Sequence, residues 1–517
     1  MKKLTMLFMA LVSIFILQGT AHAEETQGPK LVKEVITLTE DTVWEGDYYV
    51  TADVDLKGYT LTVTGNLILG NKTIYFHSGK LIVDGDFRIQ DIKKTAKDIA
   101  YLELKEEDFQ ACHGVIRMDE AEDYLLVHGN FYPNGSKNIL RNGTVELKGN
   151  FMYVNGSYMG AYDAIGEHKT IFSGDGDQRV YFVRSGSQFN ILGARKTSGK
   201  MLFESTIDVA AIDEDTTIPV GGNGYLYLYP YKNKTVSLQG HKLTIDGTLF
   251  FERGTMSLDG GSLTVTKDLR IEKIRNLKDV INTDLSQLED EDFVGCSGDT
   301  QLVMKSDKEK IMVEGSFIIN NYKAFDKLRA GVIEVKKDVI QKGSRSMLKA
   351  SGTHKFVLSG NEKQTVRFQN PSYKDNKTNK VITFNHFNIL EIQNRYVYFK
   401  TDKKLVSYRS HYWYKKLIPL DLKVEYNGKT VKFEKYSPVI TNGVIYLELG
   451  EVNKIFGIEL VYNKKTDTIS GKYGSTKLSL KATTINKKSY VPIEELLDKV
   501  KMEYDYNAET KTFSITK

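Results

Sequence analysis

The sequence predicts a mainly β protein: two tandem β-solenoid-like units of the right-handed parallel β-helix type, followed by a small α+β domain. Three observations predict this. The chain repeats itself at an offset that begins at 182 residues, each repeat carries a shorter period near 20 residues, and the last hundred residues hold a different pattern with its own duplication. The composition agrees, with 41% hydrophobic and 26% charged residues across 517 positions, which suits a cored globular chain and excludes disorder or a coiled-coil rod. Thirty Tyr and 24 Phe with 42 Gly and only 8 Pro read as strands separated by turns. The 71 Lys+Arg against 66 Asp+Glu leave a dispersed net charge of +5, too small for a nucleic-acid-binding face.

The first element is an export signal over residues 1–23. Lys2 and Lys3 precede an apolar run over 4–17, and Ala21-His22-Ala23 supplies the small residues of a cleavage site, so the mature chain is expected to begin near Glu24. No later stretch has the roughly twenty apolar residues that a membrane span requires. With no Cys at the cleavage site and no apolar tail at the C-terminus, retention at a surface is expected to be non-covalent. The expected product is secreted, bacterial and associated with the cell envelope.

Residues 24–200 and 201–415 form the two solenoid units. Leu56-Lys57-Gly58-Tyr59-Thr60-Leu61 is matched by Leu238-Gln239-Gly240-His241-Lys242-Leu243. Glu107-Asp108-Phe109 with Cys112 is matched by Glu291-Asp292-Phe293 with Cys296, Ser173-Gly174 with Gln178 by Ser359-Gly360 with Gln364, and Phe189-Asn190-Ile191-Leu192 by Phe387-Asn388-Ile389-Leu390. Offsets that grow slowly mean one ancestral unit with loop insertions, so both copies should share a fold.

Within a unit, two alternating apolar residues are followed by Gly, a small polar residue and another apolar residue. Leu61, Val63, Gly65, Asn66 and Leu67 set the pattern; Leu81, Val83, Gly85, Asp86 and Phe87 repeat it 20 residues later. It returns around Gly129 and Gly149, and the second unit keeps the register at Gly247, Lys267, Gly315 and Lys337. Alternation means strands with one buried face. A fixed step near twenty residues is one rung of a β-solenoid, stabilised by stacking on its neighbours. An antiparallel sandwich is the alternative, because Asn142-Gly143 and Asn155-Gly156 are good hairpin turns; the strict period favours the solenoid. Residues 91–122 and 272–310 read as excursions from the stack with helix-like charged segments, such as 277–292.

Few residue patterns suggest chemistry. The nine histidines are dispersed, with no His-Glu-x-x-His pair for a metal. Gly174-Asp175-Gly176-Asp177 has the alternating acids of a calcium loop, but its duplicate reads Asn361-Glu362-Lys363, so a plain turn is expected. Glu106-Glu107-Asp108 and Asp290-Glu291-Asp292 are repeated acidic clusters of the kind a glycosidase or lyase would use, though adjacent acids diverge around a helix and more often form a solvated face. Cys112 and Cys296 occupy equivalent rungs a whole unit apart, too distant for a disulfide, and are expected to be buried and free. No catalytic residue, metal or cofactor is assigned.

The segment 395–416 interleaves aromatic and basic residues. Tyr412, Trp413, Tyr414, Lys415 and Lys416 are its candidate ligand-binding residues, since rings stack on sugars while lysines hold anions. The competing reading is a closing rung whose aromatics cover the solenoid end.

Residues 420–517 hold the smaller duplication. Tyr446, Leu449, Tyr462, Asn463, Thr466 and Thr468 match Tyr490, Ile493, Tyr506, Asn507, Thr510 and Thr512 at a constant offset of 44. Each copy reads strand, short helix, strand, strand, with helices expected over 449–456 and 494–500. The run Val424-Glu425-Tyr426-Asn427-Gly428-Lys429, with Ser489-Tyr490-Val491-Pro492-Ile493 and Tyr504-Asp505-Tyr506-Asn507, resembles the copper amine oxidase-like N-terminal domain, a small α+β stalk module of exported bacterial proteins. The first copy departs from the family's Tyr-Val-Pro by reading Tyr446-Leu447-Glu448. The resemblance implies no oxidase activity, because the oxidase's Asn-Tyr-Asp/Glu cofactor motif and His-x-His copper pair do not occur in this chain. The two solenoid units resemble bacterial surface-protein repeats only loosely.

The function expected from these features is a secreted, envelope-associated, non-enzymatic structural or adhesive protein whose stalk module docks on a cell-wall polymer or a surface protein. An extracellular carbohydrate-binding protein using the Trp413 segment is the alternative, and a polysaccharide lyase or hydrolase rests on fold analogy alone. Nucleic acid is not among the expected partners.

Overall fold

The computed structural model describes residues 28–517 outside 94–103, 137, 155–159, 184–185, 232, 278–284, 297–299, 322–323, 343–346, 370–371, 375–377, 379–380, 384–386, 395–396, 400–409, 414–421, 434–435, 437, 442–443, 486–487 and 508–511. Apart from three short antiparallel pairs, the strands before residue 414 stack in parallel ladders, which makes the fold a mainly β solenoid and sets aside the antiparallel sandwich. Gly143, expected as a hairpin residue in that alternative, instead turns a corner at φ 74° between Ile139–Leu140 and Thr144–Leu147. The other turn pair, Asn155-Gly156, lies outside the described residues.

One rung explains the period. Thr73–Tyr75, Lys80–Val83 and Phe87–Ile89 are short strands on three successive faces, which we call I, II and III. On face II, Leu81 and Val83 are buried while Lys80 is exposed, as a strand with one inward side requires. The next rung pairs residue for residue, with Thr73 opposite Val115, Lys80 opposite Tyr124 and Phe87 opposite Phe131. Like residues therefore stack on like: Phe87 and Phe131 lie 5.4 Å apart and Phe151 follows at 6.0 Å.

The Gly-plus-small-polar corner between faces II and III is a second ladder. The side-chain oxygen of Asp47 accepts the Asn66 N–H, Asn66 accepts Asp86, Asp86 accepts Asn130, Asn130 accepts Asn150, and Asn150 accepts Arg179. Asp268 and Asp338 do the same for Ser316 and Thr365 in the second repeat. The glycine is required by close approach: a Cβ on Gly149 would lie 2.1 Å from the carbonyl oxygen of Gly129.

The two repeats form one shaft with a single apolar core running from Leu38 to Val397. The eleven-stranded sheet begins on face II and ends on face I because Phe189–Ala194 spans the corner between them. Gln188, just before it, bridges Asp163 on face I, its later residues pair with Lys169–Phe172 on face II, and above it Val209–Ala211 carries face I onward. Face III is split, with an eight-stranded sheet ending at Met201–Phe203 and a seven-stranded sheet starting at Tyr225–Leu228. At about 4.8 Å per rung, these two sheets together make a shaft on the order of 70 Å long.

Each excursion returns to the shaft as a short antiparallel pair, Asp91–Ile92 with Phe109–Gln110 and Lys273–Ile274 with Phe293–Val294. Both lie over outward-facing apolar residues of face III: Tyr49 and Ile68 under Ile92 and Phe109, and Tyr225, Tyr227 and Phe250 under Ile274 and Phe293. Of the helix-like segment expected over 277–292, residues 278–284 lie outside the described residues; the remainder has two 3₁₀ turns, Leu285–Gln287 and Asp290–Asp292, where Leu285, Leu288 and Phe293 pack on the shaft.

The C-terminal residues have a separate core built around helices α1 (Leu449–Phe456) and α2 (Ile493–Val500). Glu448 caps α1 by accepting the Gly450 and Glu451 N–H groups, and Gly457 ends it in the left-handed region. The strands that feed the helices pair antiparallel, Tyr446 with Pro492, Leu447 with Val491 and Glu448 with Tyr490. Leu447 thus faces its own repeat partner, so the 44-residue duplication closes as a pseudo-two-fold pair. Copy one adds the meander Glu459–Asn463, Thr468–Tyr473, Thr476–Lys481; copy two builds Glu503–Asn507 and Thr512–Thr516, completed by Lys423–Tyr426 from the start of the domain.

Candidate functional site

The acidic clusters are built into the shaft. In the first repeat, Arg88 points outward from face III with its guanidinium 3.7 Å from the ring centre of Tyr132 and 4.4 Å from that of Phe109. It pairs with Asp86 at 3.3 Å and with Glu106 at 2.5 Å. Asp108 is buried rather than solvated, and its carboxylate accepts the Lys105 N–H to close the 3₁₀ turn. The second repeat reproduces the clamp with Arg270 over Phe293 at 3.9 Å, paired with Asp268 and the fully buried Glu272. Asp290, the counterpart of Glu106, is held at 3.0 Å by Lys342, whose hydrogen bond lowers its pKa. These carboxylates fasten the excursions to face III.

The calcium-like loop already contains its cation. The Lys196 ammonium lies 2.6 Å from the Gly174 carbonyl, 2.8 Å from that of Gly176 and 2.9 Å from Gln178 Oε1. Gln178 in turn donates to the carbonyls of Leu147 and Gly149, tying the loop to the rung below. Burial pushes the Lys196 pKa down. In the second repeat Gln364 makes the same pair of bonds, and an amide replaces the ammonium: Asn394 Nδ2 lies 2.8 Å from the Glu362 carbonyl and 3.0 Å from Gln364 Oε1.

His168 and His354 are equivalent and fully buried, each with Nδ1 on a backbone carbonyl, of Asn142 at 2.8 Å and of Ala330 at 2.9 Å. Burial pushes both down to about 4, so each imidazole is neutral at pH 7. In the first repeat Tyr162 OH approaches His168 Nε2 at 3.4 Å; Nε2 of His354 has no partner among the described residues. Cys112 and Cys296 are buried and free, with their thiols pushed up to about 12 by burial.

Of the aromatic segment, Tyr412 and Trp413 belong to the strand Ser410–Trp413, whose backbone pairs with Ile389–Ile392 and closes face II. Tyr414, Lys415 and Lys416 lie outside the described residues.

A concave site that the repeats did not announce lies at the split in face III. Its volume is about 550 Å³, and it is lined by Lys200, Leu202 and Tyr225 with the glycine-rich turn 221–224. The Tyr225 hydroxyl is buried without a hydrogen-bond partner among the described residues, and burial raises its pKa to about 12. Further along the same strand direction, Tyr229 and Tyr231 stack at 6.1 Å with Arg253 over the Tyr231 ring at 5.1 Å. The signal in the sequence was the run Tyr225-Leu226-Tyr227-Leu228-Tyr229-Pro230-Tyr231, where alternation puts the rings on one side.

No group of three or more His, Cys, Asp or Glu gathers as a metal site among the described residues. No helix among them is long and apolar enough to cross a membrane. No family of known proteins matches the chain, nor does any curated protein or solved structure.

Proposed function

We propose that this is an exported, cell-envelope-associated structural or adhesive protein, in which the solenoid gives reach and the C-terminal α+β domain is a stalk module that docks on wall material or on a surface protein. The observation that carries this reading is where the polar clusters go. Arg88 with Glu106, Lys342 with Asp290, and Lys196 in its carbonyl ring all bind one rung or excursion to another, so these chemistry-bearing residues of the repeats serve cohesion. The C-terminal domain, by contrast, has its own core and a duplicated architecture unlike the shaft. A carbohydrate-binding reading is favoured by a different observation, the stacked Tyr229 and Tyr231 beside Arg253, which offer rings to a sugar face.

The test is a pull-down of the mature protein on purified cell walls, with reducing-sugar release measured in the same tube. The expected result is retention without sugar release, and loss of retention when residues 420–517 are deleted. Release of sugar would overturn the non-enzymatic assignment. Retention by the deletion variant, abolished by Tyr229→Ala with Tyr231→Ala, would move binding to the shaft and favour the carbohydrate reading.

A further inference from the structure

We propose that the outer face of the C-terminal meander, residues 459–481, is a docking surface for a linear phosphodiester polymer. The proposal names the ligand of the docking module and so rests on that reading. The inner side of this three-stranded sheet is filled by Leu460, Ile469, Leu478 and Leu480, which join the domain core. Its outer side presents Lys472, Lys477 and Lys481, all exposed, with Lys464 and Lys465 in the turn between the first two strands. None of these five lysines is ion-paired among the described residues. Between them lie the small residues Ser470 and Ser479 and the exposed Val461, a flat floor on which an extended chain can rest.

Two features separate this face from ordinary surface charge. Lysine on an edge strand blocks edge-to-edge pairing and needs no other explanation. That accounts for Lys477 and Lys481, but Lys472 is on the central strand, directly opposite Lys477. Like charges facing one another across a ladder are destabilising, and Glu459, across the other ladder from Lys472, supplies one negative charge against them. A bound anion relieves the repulsion. The second feature comes from the duplication. The related strands of copy two place Thr516 where copy one has Lys472, and carry Glu503 and Asp505 on the equivalent positions of Glu459 and Val461. The same two-stranded hairpin therefore forms without a lysine at the position of Lys472, so the strand pairing does not require that charge.

The chemistry of the face selects the polymer. Ammonium groups are point charges that hold phosphate without demanding bidentate geometry. The face carries no aromatic ring on which a sugar would stack, since its outward positions are Ser, Thr, Val, Asn, Glu and Lys. A flexible chain of phosphates fits this surface better than a rigid carboxylated glycan.

The experiment measures binding of the full mature chain to poly(glycerol phosphate) and to polygalacturonate over a range of salt. The expected result is salt-sensitive binding to the phosphate polymer, weakened at least about tenfold in the K472Q/K477Q/K481Q variant, whose log-affinity against log-salt slope falls by about two to three. The K472R/K477R/K481R variant should bind as the parent does, and a melting curve of the Gln variant that matches the parent's would show that the loss is one of charge. Equal binding by the Gln variant, no binding by the parent, or preference for polygalacturonate would each overturn the assignment. Wall retention that is lost on deleting 420–517 but unchanged in the Gln variant would remove the phosphodiester ligand and leave module docking standing; retention by the deletion variant would remove both.

Discussion

Acidification should weaken the shaft through His168 and His354 before its carboxylates take part. Both imidazoles are pushed down to about 4 by burial from an ordinary value of 6.5. Between those values the unfolded chain binds protons that the folded chain refuses, so stability is complete above about 6.5, falls as the pH drops, and levels off near 4. Each histidine should remove about 2 kcal/mol at pH 5 and about 3 kcal/mol at pH 4, or about 4 and 6 kcal/mol for the pair. The perturbation is His168→Gln with His354→Gln, which keeps an N–H for the Asn142 and Ala330 carbonyls and removes the titration. Denaturant unfolding followed by circular dichroism at pH 7, 6 and 5 should show the parent losing stability and the double variant nearly flat. Because the two histidines sit in different repeats, the single variants should protect different stretches of the stack. Carboxylates such as Glu214, held low by its hydrogen bond from Arg195, and Asp290, held low by Lys342, lose their contributions only at lower pH and equally in both proteins. Parallel pH curves for parent and double variant would refute the argument, because they would mean that the imidazoles are protonated in the fold or hydrated within it.

Three further outcomes are expected. Gly149→Ala places a methyl group against the Gly129 carbonyl and should destabilise the first repeat by about 3 kcal/mol or more, read as a lowered denaturant midpoint, whereas Gly222→Ala, with open space at its Cβ, should be nearly neutral. Lys196→Met empties the ring formed by Gly174, Gly176 and Gln178 and should lower stability by about 1–3 kcal/mol, while Lys196→Asn, the residue of the second repeat, should recover part of the loss in the same unfolding assay. Unreduced tryptic digests should contain Cys112 and Cys296 as unlinked peptides, because both thiols are buried at separate rungs; a linked pair would contradict the stacking order.

The architecture was legible in the sequence where it depends on nearest neighbours. A 20-residue step with alternating Leu and Val is read directly as a rung, and the strand-helix-strand punctuation of the last hundred residues placed α1 at its observed bounds and α2 within one residue. What was hidden depends on residues far apart in the chain. The corner-spanning strand Phe189–Ala194 has an ordinary apolar sequence, and only its partners on both faces reveal that two repeats share one shaft. Lys196 sits 22 and 20 residues beyond the Gly174 and Gly176 carbonyls, so the loop reads in the sequence as a plain turn and its ammonium stays unseen. The acidic clusters are largely solvated, as expected, with Asp108 the buried exception; what stayed hidden is that Glu106 and Asp290 hold Arg88 and Lys342, which lie 18 and 52 residues away. The cleft at the split in face III arises from a sheet that stops and another that starts, which no local pattern encodes.

The corner ladder of Asp47, Asn66, Asp86, Asn130 and Asn150 has a polarity that bears on how the chain assembles. Each side-chain oxygen receives the N–H of a residue that comes later in the sequence. A polypeptide that emerges from its N-terminus always meets an acceptor already in place, and the register of the new rung is copied from the one beneath it before any downstream residue exists. The polarity of the ladder suits growth in the direction of synthesis, like a zip that closes behind the ribosome. The first rungs act as the mould, and an error there is transmitted to every turn that follows.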